Sequence, residues 1–256
     1  LRYGLDTRAY RHMTLARVLG AQGRFGEALA EARRGVARSH EIQHVNSEAL
    51  ALLYLMNVYR QRGEYSEVAT VGTRILALCE THGLGFMRSL AGLLLACGAG
   101  DLGRARAIVA EHEARMIRLG FAYYGGLVAE TALGQGETEA ALALVERCLD
   151  EVARTGECYY LATLQALKGE VLAARGEPAA GLDWCRRGLT TAGEQGADGF
   201  RLRIATTLVR LEQAAGESSG VRAVLAALCR QLAREADCPA LISARKVLAG
   251  GNEGSD

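Results

Sequence analysis

Two series of glycines, held at a constant offset from each other, constrain this chain more than any other feature. Gly23, Gly63, Gly100, Gly136, Gly176 and Gly216 open similar short patterns, Gly-x-(apolar or small)-x-x-(small), seen most clearly in Gly23-Arg-Phe25-Gly-Glu-Ala28, Gly63-Glu-Tyr65-Ser-Glu-Val68 and Gly100-Asp-Leu102-Gly-Arg-Ala105. Successive members are 40, 37, 36, 40 and 40 residues apart. A second series, Gly83, Gly120, Gly156 and Gly196, follows Gly63, Gly100, Gly136 and Gly176 at an unvarying 20 residues. Self-similarity at such a period is the signature of a repeat architecture.

Between the series, stretches such as Glu139–Val152 and Ala179–Ala192 carry apolar residues at i, i+3, i+4 and i+7, so each interval reads as one amphipathic helix. The second glycine ends it, because glycine accepts the left-handed backbone that terminates a helix. The complementary intervals, 20, 17, 16, 20 and 20 residues long, read as the other helix of each pair. The shorter ones lack about one turn of 3.6 residues, which shortens a helix without rotating its apolar face. The expectation is an all-α solenoid of six helix–turn–helix repeats, approximately 6–43, 44–83, 84–120, 121–156, 157–196 and 197–236, forming a single repeat domain over 1–249. A capping helix at 239–249 begins at Pro239, and the polar stretch 250–256 reads as a disordered tail.

Composition agrees with this. The chain has 256 residues, half of them hydrophobic but only 5% aromatic, with 44 Ala, 31 Gly and 2 Pro, which suits helices packed closely through small side chains and not a β-sandwich. Its 28 Arg and 2 Lys balance 29 Asp and Glu to a net charge of +1, removing the electrostatic drive that tracking a phosphate backbone needs, so no nucleic-acid partner is expected. No apolar run reaches the roughly 18 residues of a membrane span. Seven cysteines, an odd number with no C-x-x-C, point to a reducing cytoplasm, with Cys148, Cys185 and Cys229 acting as small hydrophobes at helical spacing. The chain opens at Leu1 without an initiator Met or a signal segment, so a fragment of a longer protein is expected.

With glycine at position 15, an aromatic at 17 and alanine at 20 of the unit, the pattern resembles the tetratricopeptide repeat, lengthened from its usual period of 34. Such long units resemble the C-terminal sensor regions of bacterial multidomain signalling proteins: nucleotide-cyclase and ATPase-coupled regulators, and transcription activators of the maltose-regulon type. The likeness rests on Tyr3-Gly4-Leu5-Asp6, His44-x-x-Ser47-x-Ala49, Gly156-Glu157 leading to Leu164-x-x-Leu167-Lys168-Gly169-Glu170, and Gln195-Gly196-Ala197 leading to Leu202-Arg203-x-Ala205-Thr206-x-Leu208-x-Arg210-Leu211. The resemblance implies a right-handed superhelix and a non-catalytic regulatory module beside an upstream catalytic or nucleotide-binding domain. It also implies that the first helix of each pair lines a concave groove for a protein or peptide. The groove positions are then Tyr10, Met13 and Arg17 in the first repeat and Tyr54, Asn57 and Arg60 in the second. Later repeats give Tyr123, Glu130, Thr163, Glu170, Arg203, Thr206, Arg210 and Gln213. Asn57 would meet a ligand's peptide backbone, and the arginines would grip carboxylates. Tyr123 and Tyr124 read either as core fillers or as a wet-ended contact surface. A clamp for a chaperone's terminal carboxylate is not expected, because its basic and polar positions hold Met13, Tyr54, Met87 and Ala91. The alternative within the same resemblance is a small-molecule effector sensor.

Motifs that could carry catalysis compete with the repeat for the same residues. His40-Glu-Ile-Gln-His44 matches H-E-x-x-H, with Glu64 as a candidate third ligand, and that zinc chemistry needs both histidines on one face of a continuous helix. Gly23 plus 20 is Gln43, so the repeat predicts a helix end inside the motif. Gly98-Ala-Gly100-Asp-Leu-Gly103 spells G-x-G-x-x-G, but Gly100 already belongs to the turn series and no parallel-sheet pattern surrounds it. No G-x-x-x-x-G-K-[ST] loop exists, Cys79 and His82 lack a second ligand pair, and His12 and His112 lie within helical patterns. No catalytic, cofactor or metal-binding residue is assigned.

Overall fold

The computed structural model describes residues 4–115, 120–218, 220–235 and 237–250. Tyr3 and the expected tail over 251–256 lie outside the described residues. Thirteen α-helices and no strands occur among the described residues, and the fold is an all-α solenoid of successive helix pairs. The first pair is α1 (Thr7–Ala21) and α2 (Phe25–Glu41) and the second α3 (Val45–Arg62) and α4 (Tyr65–His82); α5 (Gly85–Ala99) and α6 (Leu102–Ala114) come next in the chain. There follow α7 (Phe121–Gly134) with α8 (Thr138–Thr155), α9 (Leu161–Ala174) with α10 (Pro178–Glu194), α11 (Asp198–Ala215) with α12 (Val221–Gln231), and α13 (Pro239–Ala249). A 3-10 turn, Cys158–Tyr160, leads into α9. The shortened intervals of the third and fourth repeats hold the 15-residue α5 and the 14-residue α7, against 18 residues in α3 and α11; in the full-length fifth interval α9 is also 14 residues, the remainder being taken by the 3-10 turn Cys158–Tyr160.

All ten glycines of the two series have positive φ, from 63° to 89°. The missing member of the second series is present as well: Gln43, at φ 52°, is the sole non-glycine residue with positive φ among the described residues. A side chain in the left-handed region costs roughly 1–2 kcal/mol, so the turn geometry of the repeat is imposed there on a residue that does not favour it. Helix starts are fixed by Asp6, which accepts from the Ala9 amide at 2.8 Å, by Asp101, which accepts from Arg104 at 3.0 Å, and by Pro178 and Pro239 in the first turns of α10 and α13.

The chain forms two compact units, Leu1–Ala99 and Gly100–Asp256, and the division falls between α5 and α6, inside the third repeat as the glycines delimit it. In the first unit, α1, α3 and α5 pack in a row, with α2 against α1 and α3, and α4 against α3 and α5. Met13, Phe25, Leu52, Leu53, Met56, Ile75 and Leu93 fill its core. In the second unit the row is α7, α9, α11 and α13, backed by α8, α10 and α12, each lying on the first helices to either side. Tyr160, Leu127, Leu164, Leu167 and Leu182 are the largest of its fully buried side chains.

The α9–α10 contact brings backbone against backbone. A Cβ added at Gly169 would lie 2.4 Å from the Gly181 carbonyl oxygen, one at Gly181 would lie 2.7 Å from the Gly169 carbonyl, and one at Gly188 would lie 2.6 Å from the Ala162 carbonyl. Gly181 and Gly188, seven residues apart, lie on one face of α10, and the main chains touch along it. Cys185 lies between them and donates its thiol hydrogen to the Ala166 carbonyl at 3.4 Å. Beside this seam the chain's single Trp, Trp184, is flanked by the Lys168 ammonium at 4.6 Å and the Arg187 guanidinium at 4.9 Å from its ring centre. Lys168 also pairs with Glu146 of α8 at 2.8 Å.

Candidate functional site

The first helices carry the candidate residues, and each unit presents its own face. In the first unit Tyr10 is exposed, Arg17 and Tyr54 are partly buried, and Arg17 of α1 hydrogen-bonds Tyr54 of α3. Burial raises the Tyr54 phenol above its usual range, against the opposing pull of Arg17. Asn57 donates its amide to the Leu53 carbonyl of its own helix at 3.0 Å, and Arg60 is partly buried one turn further on. Met13 is fully buried. Its apolar chain fills the space between α1 and its neighbours, so it presents nothing to a ligand.

In the second unit the repeat register places Tyr123, Thr163 and Arg203 at one equivalent position of α7, α9 and α11, and Glu130, Glu170 and Arg210 at another, two turns along. Arg203 forms an ion pair with Glu130. That pair joins α11 to α7 and so passes over α9, which lies between them in the row. A row whose outer members reach each other across the middle is concave on that side. Arg203, expected to grip a ligand's carboxylate, is therefore engaged with a carboxylate of its own chain. Arg210 donates to the Ser243 hydroxyl of α13 at 3.1 Å.

On the face of α9 that the register aligns with these positions lie two polar groups that the fold leaves unused. Thr163 is only 4% exposed, and its hydroxyl has no hydrogen-bond partner among the described residues. Helical threonines here usually donate to the carbonyl four residues back, as Thr206 does to Leu202 at 2.6 Å and Thr131 to Leu127 at 2.9 Å. For Thr163 that carbonyl belongs to Tyr159, which sits in the 3-10 turn before α9. The second group is Glu170, partly buried and making no hydrogen bond or ion pair with any described residue. Burial pushes its carboxyl up to about 7, although Arg210 pulls the other way.

Tyr123 belongs to an aromatic cluster. Its ring meets Tyr124 at 5.0 Å and Tyr160 at 4.9 Å, both edge-on, and Tyr159 and Tyr160 extend the contact to Phe200 at 5.5 and 6.0 Å. The rings tie the starts of α7, α9 and α11 together. Repeat arithmetic gives no warning of this cluster, though the doublets Tyr123-Tyr124 and Tyr159-Tyr160 stand 36 residues apart, one repeat period of this region.

The zinc-peptidase motif is broken by the helix end that the repeat predicts. His40 is in the last turn of α2, Gln43 makes the turn, and His44 caps α3 by accepting from the Ser47 amide at 3.2 Å. His40 lies 3.3 Å from Glu48, and Glu64 pairs with Arg62 at 2.8 Å. Among the described residues no group of three His, Cys, Asp or Glu side chains is placed to hold a metal ion. The G-x-G-x-x-G run spans the end of α5, the turn at Gly100 and the start of α6, with no strand before it. His12 bonds Glu31 across α1 and α2 at 2.6 Å, holding that carboxyl below its usual range. Cys148, Cys185 and Cys229 are buried, and burial pushes the first two thiols up to about 12. No described helix is long and apolar enough to cross a membrane.

No family model and no curated protein matches this chain. Among solved structures it is similar to a Podosopora anserina putative kinesin light chain with nearly identical TPR-like repeats, at 17% identity over 96% of this chain and 98% of that one. It is also similar to a substituted form of that protein, at 18% identity over 89% and 94%. The TM-score is 0.34 in both cases, too low to add to the helix arrangement described above.

Proposed function

We propose that this chain is a non-catalytic binding module whose first-helix faces hold an extended peptide or a partner's surface segment. One observation carries the reading: on the concave face of the second unit, the Thr163 hydroxyl is buried with no hydrogen-bond partner among the described residues, and the partly buried Glu170 carboxyl on the same face makes no hydrogen bond or ion pair with them. Burying polar groups without hydrogen bonds costs free energy, and a ligand that supplies the bonds recovers it. The likeness of the segments around His44, Gly156 and Gln195 to cyclase-associated sensor regions supports placing the module in a larger cytoplasmic bacterial signalling or transcription-regulatory protein.

A random-peptide display selection against the purified chain tests the reading. Enriched peptides should lose at least tenfold in affinity against the Asn57→Ala/Arg60→Ala variant or against Thr163→Val/Glu170→Gln. Undiminished binding to both rejects the first-helix faces as the site. The alternative, sensing of a small effector, has one observation in its favour: an open cleft of about 480 Å³ beside α10, lined by Gln165, Arg186, Arg187, Thr190 and Glu194 among others. Thermal stabilisation by a metabolite, lost in Arg187→Ala, would favour it.

A further inference from the structure

We propose that the concave face of α9 recognises a basic side chain, lysine or arginine, seated on Glu170, with the neighbouring ligand backbone reaching the Thr163 hydroxyl. This rests on the binding reading above and names the chemistry of the occupant. Seven residues of helix separate Thr163 from Glu170, about 10 Å along the axis, the reach of three residues of extended chain. The two groups differ in what they ask of a ligand. A buried hydroxyl with no acceptor and no donor is satisfied by a peptide carbonyl or amide. A partly buried carboxyl group with no ion-pair partner is satisfied best by a cation, which also replaces the part of its solvation that the fold has removed.

The charges around Glu170 leave that role open. From α11, Arg210 faces it and favours its ionised form, but Arg210 gives a hydrogen bond to Ser243 and makes no ion pair with Glu170. From α10, the titratable neighbour is Cys185, whose thiol stays protonated in its buried seat. From α7, Glu130 is held by Arg203. From α8, Glu146 is held by Lys168, which is two residues from Glu170 and so about 200° around the helix. The 3-10 turn contributes Tyr159 and Tyr160, which are occupied in the aromatic cluster.

A cation that prefers the ionised carboxyl must lower the pH at which that carboxyl titrates, and its own affinity must rise with pH. The probe is acetyl-Ala-Ala-Lys-Ala-Ala-amide, with the norleucine and glutamate peptides as controls. The readout is the Glu170 side-chain carboxyl ¹³C resonance of the whole chain, assigned by its loss in Glu170→Gln. Saturating lysine peptide should lower the Glu170 midpoint by about one pH unit or more, and the peptide should bind about five- to tenfold tighter at pH 8 than at pH 6. Arg210→Met removes the competing cation, so it should raise the free midpoint and tighten lysine-peptide binding severalfold; this variant keeps the test open should Glu170→Gln not fold. An unmoved midpoint, an equal shift with the norleucine peptide, or weaker binding by Arg210→Met overturns the proposal. Display-selected peptides that bind the face without basic residues would overturn it while leaving the binding reading intact. Failure of every peptide in the selection, with the lysine probe still moving Glu170, would do the reverse.

Discussion

The α9–α10 pair of the second unit and the α3–α4 pair of the first occupy the same place in the repeat but are closed by different materials. Between α9 and α10, Gly169, Gly181 and Gly188 bring main chain onto main chain, and the atoms that an added Cβ would strike are largely carbonyl oxygens and amide nitrogens. At Gly72 of α4 an added Cβ would come just as close, 2.9 Å from Met56 Cε of α3 and 2.6 Å from Leu95 Cδ2 of the next helix, α5, but these are ends of flexible side chains. Equal crowding therefore has unequal consequences. A helix backbone can yield only by moving the whole helix, whereas leucine and methionine yield by changing rotamer.

The largest test of that difference is Gly181→Ala or Gly188→Ala, each expected to destabilise the second unit by about 3 kcal/mol or more through overpacking against backbone. Gly72→Ala in the first unit should stay within about 1 kcal/mol, because the helix propensity gained offsets the repacking. Urea unfolding followed by circular dichroism measures both, and equal costs would abolish the distinction.

A smaller effect concerns alkali. Cys185 in the α9–α10 seam and Cys148 in α8 keep their protons to about pH 12 in the folded chain, against an ordinary value of 9.0. Their unfolded counterparts ionise first, so above pH 9 the unfolded state holds fewer protons and stability falls as pH rises, by up to about 1.4 kcal/mol per thiol per pH unit. Urea midpoints for the second unit should drop steeply between pH 9 and pH 11, and the Cys148→Ala/Cys185→Ala variant should flatten the decline. An unchanged slope in that variant would place the loss elsewhere.

The smallest compares turns. Gln43→Gly relieves the one left-handed non-glycine turn among the described residues and should stabilise the first unit by about 1 kcal/mol, while Gly176→Ala in the second should cost about as much. Thermal melting of each variant decides it, and a destabilising Gln43→Gly would mean that the glutamine side chain contributes more than its backbone strain costs.

Turn glycines and packing glycines are not equally legible in the sequence. The turn glycines betray themselves by period: backbone conformation recurs once per unit, so the residue that permits it recurs too, and even Gln43 is marked by the arithmetic. Gly169, Gly181 and Gly188 follow no such period, because each answers to the residue across from it on another helix, and that pairing is not linear in the chain. For the same reason the register places Thr163 and Glu170 on a common face but gives no sign that both lack partners. The 3-10 turn at Cys158–Tyr160, which takes away the usual acceptor for Thr163, interrupts the helical pattern by only three residues. Met13 shows the opposite limit: a groove position by register became core, since on the same face an apolar side chain turns inward where a polar one stays at the surface.

The setting of Trp184 has an optical consequence. As the single indole in the chain it lies in the second unit, close to two cations beside the α9–α10 seam. Its emission therefore reports on that unit alone, while ellipticity sums over both. Loss of these contacts will expose the ring to water and shift the emission to the red, so melting curves recorded by the two signals on one sample separate the unfolding of the second unit from that of the first.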